Sequence, residues 1–255
     1  VIDMDLQLSG RTALVTGGSK GIGFACAKAL AAEGCHLRLV ARDKAALVEA
    51  RDTLRAAHDV SVEIFEADLS RLSDSLLVDA FPEVDIVVNS AGAIPRGGLL
   101  DVDPGALREG FEGKLMGTIA LCRAFYRRMR ERRRGVILNI IGISGLRPNP
   151  KSIGTSSANA ALIALTQALG AESVDHGVRV LGVNPGLVRT GRTASLLNPT
   201  QAADKAYDAL LASLPFGRMA EPAEVADLVS FLVSERASYL SGEVISIDGG
   251  SRFRF

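Results

Sequence analysis

Short apolar runs recur along this chain with amphipathic stretches between them, and that alternation limits the fold more than any other feature. The runs lie at 11–16, 36–41, 60–66, 84–89, 135–141, 178–183 and 244–247. Several are apolar nearly end to end, so they read as strands buried on both faces. Helical periodicity fills the gaps at 20–33, 43–57, more weakly 73–80, then 104–133, 156–174, 201–214 and 222–234. Gly34 ends the first of these, and Asp43 is placed to cap the second. The long pattern at 104–133 has candidate breaks at Gly110 and Gly113. Strands separated by helices pair in parallel, and right-handed crossovers then lay helices on both faces. The expectation is an α/β fold, a doubly wound parallel sheet of Rossmann type, forming one domain over 1–255. Ligands of such sheets bind at the carboxyl ends of the strands.

The first strand runs into Thr16-Gly17-Gly18-Ser19-Lys20-Gly21-Ile22-Gly23, and the next helix opens within that turn. Gly17 can take a tight turn that a side chain would obstruct. Gly21 and Gly23 allow close approach of a ligand and close packing of helix on strand. The helix start aims unpaired N–H groups at the ligand, which favours a phosphate.

Composition narrows the partners. The 255 residues carry a formal net charge of zero, which gives no electrostatic reason to expect nucleic acid or an anionic membrane surface. No apolar run approaches the ~20 residues of a membrane span. The opening Val1-Ile2-Asp3-Met4-Asp5 lacks the pattern of a secretory leader, so the expected location is cytoplasmic. Cys26, Cys35 and Cys122 show no metal or redox spacing and read as small core residues, so no metal site is expected. The arginine-rich run 127–134 reads as the solvated end of a helix, where positive charge offsets the helix dipole.

With these elements in order, the chain resembles the short-chain dehydrogenase/reductase family along nearly its whole length. The matching residues are Thr16-Gly17 through Gly21-Ile22-Gly23, Asp68-Leu69, Asn89-Ser90-Ala91-Gly92, Asn139-Ile140, Asn184-Pro185-Gly186 with Thr190, and Ile247-Asp248-Gly249-Gly250. The resemblance implies a nicotinamide dinucleotide. Gly17, Ser19, Lys20, Gly21, Ile22 and Gly23 would cradle its phosphates. Asp68 and Leu69 would flank the adenine, and Asn89, Ala91 and Gly92 the adenosine ribose. Pro185, Gly186, Val188 and Thr190 would meet the nicotinamide amide. The second strand ends Val40-Ala41-Arg42 without the acid that holds a ribose 2′-hydroxyl, while Arg42 and Lys20 can pair with a 2′-phosphate. NADP is therefore favoured over NAD. The resemblance also implies a homodimer or homotetramer packed through the helices near 105–133 and 155–174, where Ala158, Ala160, Ala161, Ala164 and Ala168 would permit close approach. A stretch at 189–214 would form the substrate loop.

The family's usual reacting groups are a Tyr and a Lys one helical turn apart, a preceding Ser, and an Asn on the long helix before them. Here Thr155 stands in the Tyr position, Asn159 in the Lys position, Gly142 in the Ser position and Lys114 in the Asn position. A Thr alcohol is too weak an acid to replace a phenol whose pKa of about 10 a cation can lower. Lys114, Thr155 and Asn159 are the candidate catalytic residues, with the Asn and the Lys having exchanged places. Ser144 and Lys151 are further candidates, whereas Tyr126, Tyr207 and Tyr239 fall on other elements. The resemblance thus implies an NADP-dependent oxidoreductase of a carbonyl/alcohol pair with an atypical site. A non-catalytic dinucleotide-binding sensor or regulatory subunit is the alternative, and an enzyme without net redox a third.

Overall fold

A computed structural model describes residues 4–71, 76–194 and 211–254. Its centre is a seven-stranded sheet in the order β3-β2-β1-β4-β5-β6-β7, parallel at every pairing. The strands are β1 (Thr12–Thr16), β2 (His36–Ala41), β3 (Val62–Glu66), β4 (Ile86–Asn89), β5 (Gly135–Ile140), β6 (Val178–Pro185) and β7 (Val244–Ile247). The order reverses between β1 and β4, which opens a crevice at their carboxyl ends.

Helices cover both faces: α1 (Gly21–Ala32), α2 (Lys44–Ala57), α3 (Leu76–Ala80), α4 (Pro104–Phe111), α5 (Gly117–Arg132), α6 (Ile153–Ser173), α7 (Gly191–Ala194) and α8 (Pro222–Val233). One core cluster joins β1 and β2 to α1 and α8 through Val15, Leu30, Leu39 and Val229. The other face packs Leu14, Phe125, Met129 and Ile137 beneath α5. Continuous burial of Ala13 to Thr16 and of Ile86 to Asn89 matches the apolar runs that marked these strands.

Asp43 caps α2 by accepting from the Ala46 N–H at 3.0 Å, as the sequence suggested. Gly34 follows α1 with φ +82°, the left-handed conformation that a terminating glycine supplies. Several boundaries differ from the sequence reading. The helix expected from residue 156 begins at Ile153, β6 continues to Pro185, and β3 and β4 begin two residues late, at Val62 and Ile86. The pattern at 104–133 is not broken at Gly110 or Gly113. It widens into a π-helical turn, Glu112–Met116, between α4 and α5. Such a turn inserts a residue without ending the helix and re-aims the side chains it carries. Lys114 lies in it. The expected helix at 201–214 falls mostly outside the described residues, as do the first residues of the 73–80 helix and Tyr207 and most of the 189–214 loop.

The arginine-rich end of α5 is bound into the frame at the amino-terminal edge of the sheet. Arg132 donates to the Val84 carbonyl, and Arg133 to that of Asp175 at 3.0 Å. Arg134 lies 3.8 Å from the Asp85 carboxylate. These contacts are at the opposite end of the strands from the crevice. Among the described residues no helix is long and apolar enough to cross a membrane.

Candidate functional site

A cleft of about 1510 Å³ follows the carboxyl ends of the strands from Lys20 and Arg42 at one end to Thr155 and Asn159 at the other. Its first wall is the glycine turn. Gly17 has φ +65°, and a Cβ there would lie 3.2 Å from the Ala91 backbone. At Gly23 a Cβ would lie 2.3 Å from the Gly17 carbonyl oxygen, so any side chain would displace the turn. Thr16 fixes the opposite strand end, its hydroxyl accepting from the Ser90 and Ala91 N–H groups at 3.0 and 3.1 Å. No side chain caps α1, and its first turn contains no acid, so its N–H groups face the cleft uncompensated.

At the β2 end, Arg42 and Lys20 both line the cleft, but Lys20 is already engaged. Its amine sits 2.8 Å from the exposed Asp43 carboxylate. That carboxyl is held below its ordinary pKa, chiefly by the Ala46 N–H and then by Lys20. Asp68 turns onto its own loop, accepting from the Ser70 N–H and hydroxyl at 3.0 and 2.8 Å, which lowers its pKa in the same way. Ser19, Ile22, Leu69, Ala91 and Gly92 line the cleft. Gly92 has φ +115°, and a Cβ on it would lie 2.7 Å from that of Lys114.

Asn89 differs from its expected place. Its side chain is 3% exposed and points beneath the floor, donating to Asn139 Oδ1 at 2.9 Å. Asn139 in turn donates to the Thr166 hydroxyl at 2.9 Å. This chain ties β4, β5 and α6 together, so the Asn89 side chain braces the strand ends while Ser90, Ala91 and Gly92 line the cleft. The far wall is Pro185, Gly186, Val188 and Thr190. Val188 packs its side chain into the core at 4% exposure and presents backbone. Thr193 holds this stretch by donating to the Val188 carbonyl at 2.7 Å and accepting from the Thr190 N–H at 2.8 Å.

The end of the cleft that holds the candidate catalytic residues is built around Asn159. Its amide nitrogen donates to the Gly142 carbonyl at 3.2 Å and to the Ser144 hydroxyl at 2.9 Å. Gly142 has φ +124°, and a Cβ there would lie 2.9 Å from that same nitrogen. Glycine at 142 and asparagine at 159 therefore belong together. A side chain at 142 would be strained by the backbone and blocked by the amide. Asn159 Oδ1 is buried without a hydrogen-bond partner among the described residues. Thr155 lines the cleft one turn before Asn159, and among the described residues its hydroxyl makes no hydrogen bond.

Lys114 approaches from the π-turn on the other side. Its ammonium donates to the Ile141 carbonyl at 3.0 Å instead of extending to solvent, and no hydrogen bond joins it to Asn159. Desolvation, followed by the nearby positive charge of Arg192, pulls its pKa down to about 8. Burial also lowers the pKa of Arg192, which lines the cleft from α7. Lys114 and Asn159 thus share this end of the cleft, each fastened to the segment after β5 and not to each other.

Other candidates lie elsewhere. Lys151 is exposed in its turn, Tyr126 pairs with Glu172, and Tyr239 is fully exposed. Arg192 carried no sequence signal beyond its nearness to Thr190. The seating of Ser144 depends on a long-range contact with Asn159 that spacing does not reveal.

A family model described as enoyl-(acyl carrier protein) reductase matches residues 17–252. A 3-oxoacyl-(acyl-carrier-protein) reductase of Chlamydia trachomatis serovar D is 31% identical over 248 residues, which cover 95% of this chain and 98% of that protein. A galactitol 2-dehydrogenase of Cereibacter sphaeroides is 34% identical, with 96% of each chain covered. Among solved structures, L-sorbose reductase from Gluconobacter frateurii in complex with NADPH and L-sorbose superimposes with a TM-score of 0.90 at 31% identity, covering 99% of this chain and 100% of that one.

Proposed function

We propose that this chain, which belongs to the short-chain dehydrogenase/reductase family, is an NADP(H)-linked oxidoreductase of a carbonyl/alcohol pair in which Lys114 carries the proton. The observation that bears most weight is the Lys114 ammonium, seated in the cleft on the Ile141 carbonyl with its pKa lowered to about 8. An acid of that pKa is largely protonated at neutral pH yet gives up its proton readily, which is the balance general acid catalysis needs.

The cleft fits a dinucleotide. The glycine turn leaves space that a Cβ would fill, and the uncapped start of α1 suits a pyrophosphate. Gly17, Ser19, Gly21, Ile22 and Gly23 would hold that group, with Asp68 and Leu69 beside the adenine. Ala91 and Gly92 would lie along the adenosine ribose, and Pro185, Gly186, Val188 and Thr190 against the nicotinamide. Arg42 and Lys20 would take the 2′-phosphate, with Lys20 turning from Asp43 toward the more highly charged partner. When bound, the reduced cofactor supplies a hydride to the carbonyl carbon. Lys114 gives its proton to the carbonyl oxygen and recovers one from water. The relatives include reductases and dehydrogenases of oxoacyl and sugar substrates, which supports a carbonyl/alcohol pair without selecting one.

The outward face of α6 exposes Ala160, Ala161, Ala164 and Ala168, which supports the homodimer or homotetramer reading, while Ala158 belongs to the core. Light scattering of the purified protein tests it, and a monomer at micromolar concentration rejects it. For the activity, NADPH oxidation is followed spectrophotometrically against a panel of 3-oxoacyl thioesters, ketoses and simple ketones. Turnover by the wild type and its loss in Lys114→Met, with NADPH binding intact by calorimetry, is the expected result. Binding without turnover on any substrate would favour a non-catalytic dinucleotide-binding protein.

A further inference from the structure

We propose that Ser144 is a further catalytic residue: its hydroxyl holds the substrate's carbonyl oxygen while Lys114 delivers the proton. The assignment rests on the carbonyl-reductase reading above. Position 142 has no hydroxyl, and its backbone at φ +124° with Asn159 Nδ2 2.9 Å from a notional Cβ leaves no room for one. The same amide that closes position 142 anchors Ser144, donating to its Oγ at 2.9 Å.

A hydroxyl that accepts an N–H keeps its own hydrogen for another acceptor. Among the described residues no group takes the Ser144 hydrogen, and the residue lines the cleft. Asn159 is itself 1% exposed and spends its other N–H on the Gly142 carbonyl at 3.2 Å, so the anchor is rigid. Thr155, the other hydroxyl at this end, has no such anchor. A donor already oriented before the reaction stabilises developing negative charge on oxygen without reorganisation. The two donors are also tied to the same stretch of chain. Lys114 is fixed to Ile141 and Ser144 is fixed beside Gly142, so a single short segment after β5 sets both.

In the proposed step Ser144 donates a hydrogen bond to the carbonyl oxygen and polarises the bond. Carbon gains the hydride, oxygen gains the Lys114 proton, and Lys114 is left neutral until water reprotonates it. Ser144 neither loses its proton nor forms a covalent bond.

The test compares wild type, Ser144→Ala, Ser144→Thr, Thr155→Ala and Asn159→Ala in NADPH-dependent reduction, with NADPH affinity and Tm measured alongside. Expected are a fall in kcat of about 10²-fold in Ser144→Ala, unchanged NADPH affinity, and partial recovery in Ser144→Thr. Asn159→Ala should lose activity through the same hydroxyl, so that Ser144→Ala/Asn159→Ala is scarcely worse than either single variant. Full activity in Ser144→Ala, or a loss confined to Thr155→Ala, overturns the assignment while leaving the reductase reading standing. A wild type that oxidises NADPH with no carbonyl compound defeats the reductase reading and this assignment with it. A loss in Ser144→Ala that Ser144→Thr does not relieve, with Tm lowered in both, would mark a structural role and also overturn it.

Discussion

The glycine turn at 17–23 and the pocket at 142–159 both place a positive-φ glycine against a neighbouring element, but what each glycine faces is different. Gly17 faces the Ala91 backbone, and the Gly23 Cα faces the Gly17 carbonyl, so main chain meets main chain. Gly142 faces a side chain, the Asn159 amide. A site made of backbone has few sequences that can build it. A site made of side chains can exchange them while the strand end and the helix that carry them stay in place. On the proposed function, the first region would bind by shape and dipole, and the second would do chemistry by whichever groups hang there.

The largest expected break in this contrast is Gly23→Ala. A Cβ at 2.3 Å from a carbonyl oxygen forces the turn apart, so NADPH binding should disappear in calorimetry and Tm should fall. Retained affinity would mean the turn is softer than its contacts imply. Next comes Lys114→Met, for which kcat should drop by about 10²-fold or more with NADPH affinity kept. Its Tm should hold or rise, since burying an ammonium costs folding energy that a methionine does not. A fall in Tm would assign Lys114 to the scaffold.

Gly142→Ser should destabilise the fold by about 1–3 kcal/mol, read from denaturant unfolding. Adding Asn159→Ala should return the part due to crowding and leave the part due to backbone strain. Strict additivity of the two would separate residues that the geometry couples. The smallest effect is expected at the rim. Lys20→Ala should weaken NADPH by a factor of about 2–5 because exposed charge pairs contribute little, and it should leave NADH unchanged. Equal weakening of both cofactors would place Lys20 away from the 2′-phosphate.

The two regions also differ in how far the sequence disclosed them. The parallel sheet, its strand positions and the Asp43 cap were legible because burial on both faces and capping chemistry act locally. The glycine turn was legible because main-chain contact demands glycine. Asn89 was read as a ligand contact, and its side chain serves as a brace beneath the cleft. Its motif is the same in both roles, and only the partners at 139 and 166 decide between them. The break sought near Gly110 and Gly113 is a π-turn, since glycine marks a weak point in a helix without saying whether the chain ends or widens there. The exchange of Lys114 and Asn159 was visible as residue types. That the amine would settle on Ile141 and the amide on Ser144 depends on contacts between residues 27 and 15 positions apart.

The central claim is that Lys114 carries the proton, and the pH dependence of kcat for NADPH-dependent reduction tests it most directly. A lysine with pKa about 8 is charged below that pH and neutral above it, so an acid role is present at low pH and lost as pH rises. The account predicts a level kcat below about pH 7.5 and a tenfold fall per unit above an apparent pKa near 8. A profile that stays level through ~pH 9.5, in the range where the Lys114 amine would already be neutral, would contradict it.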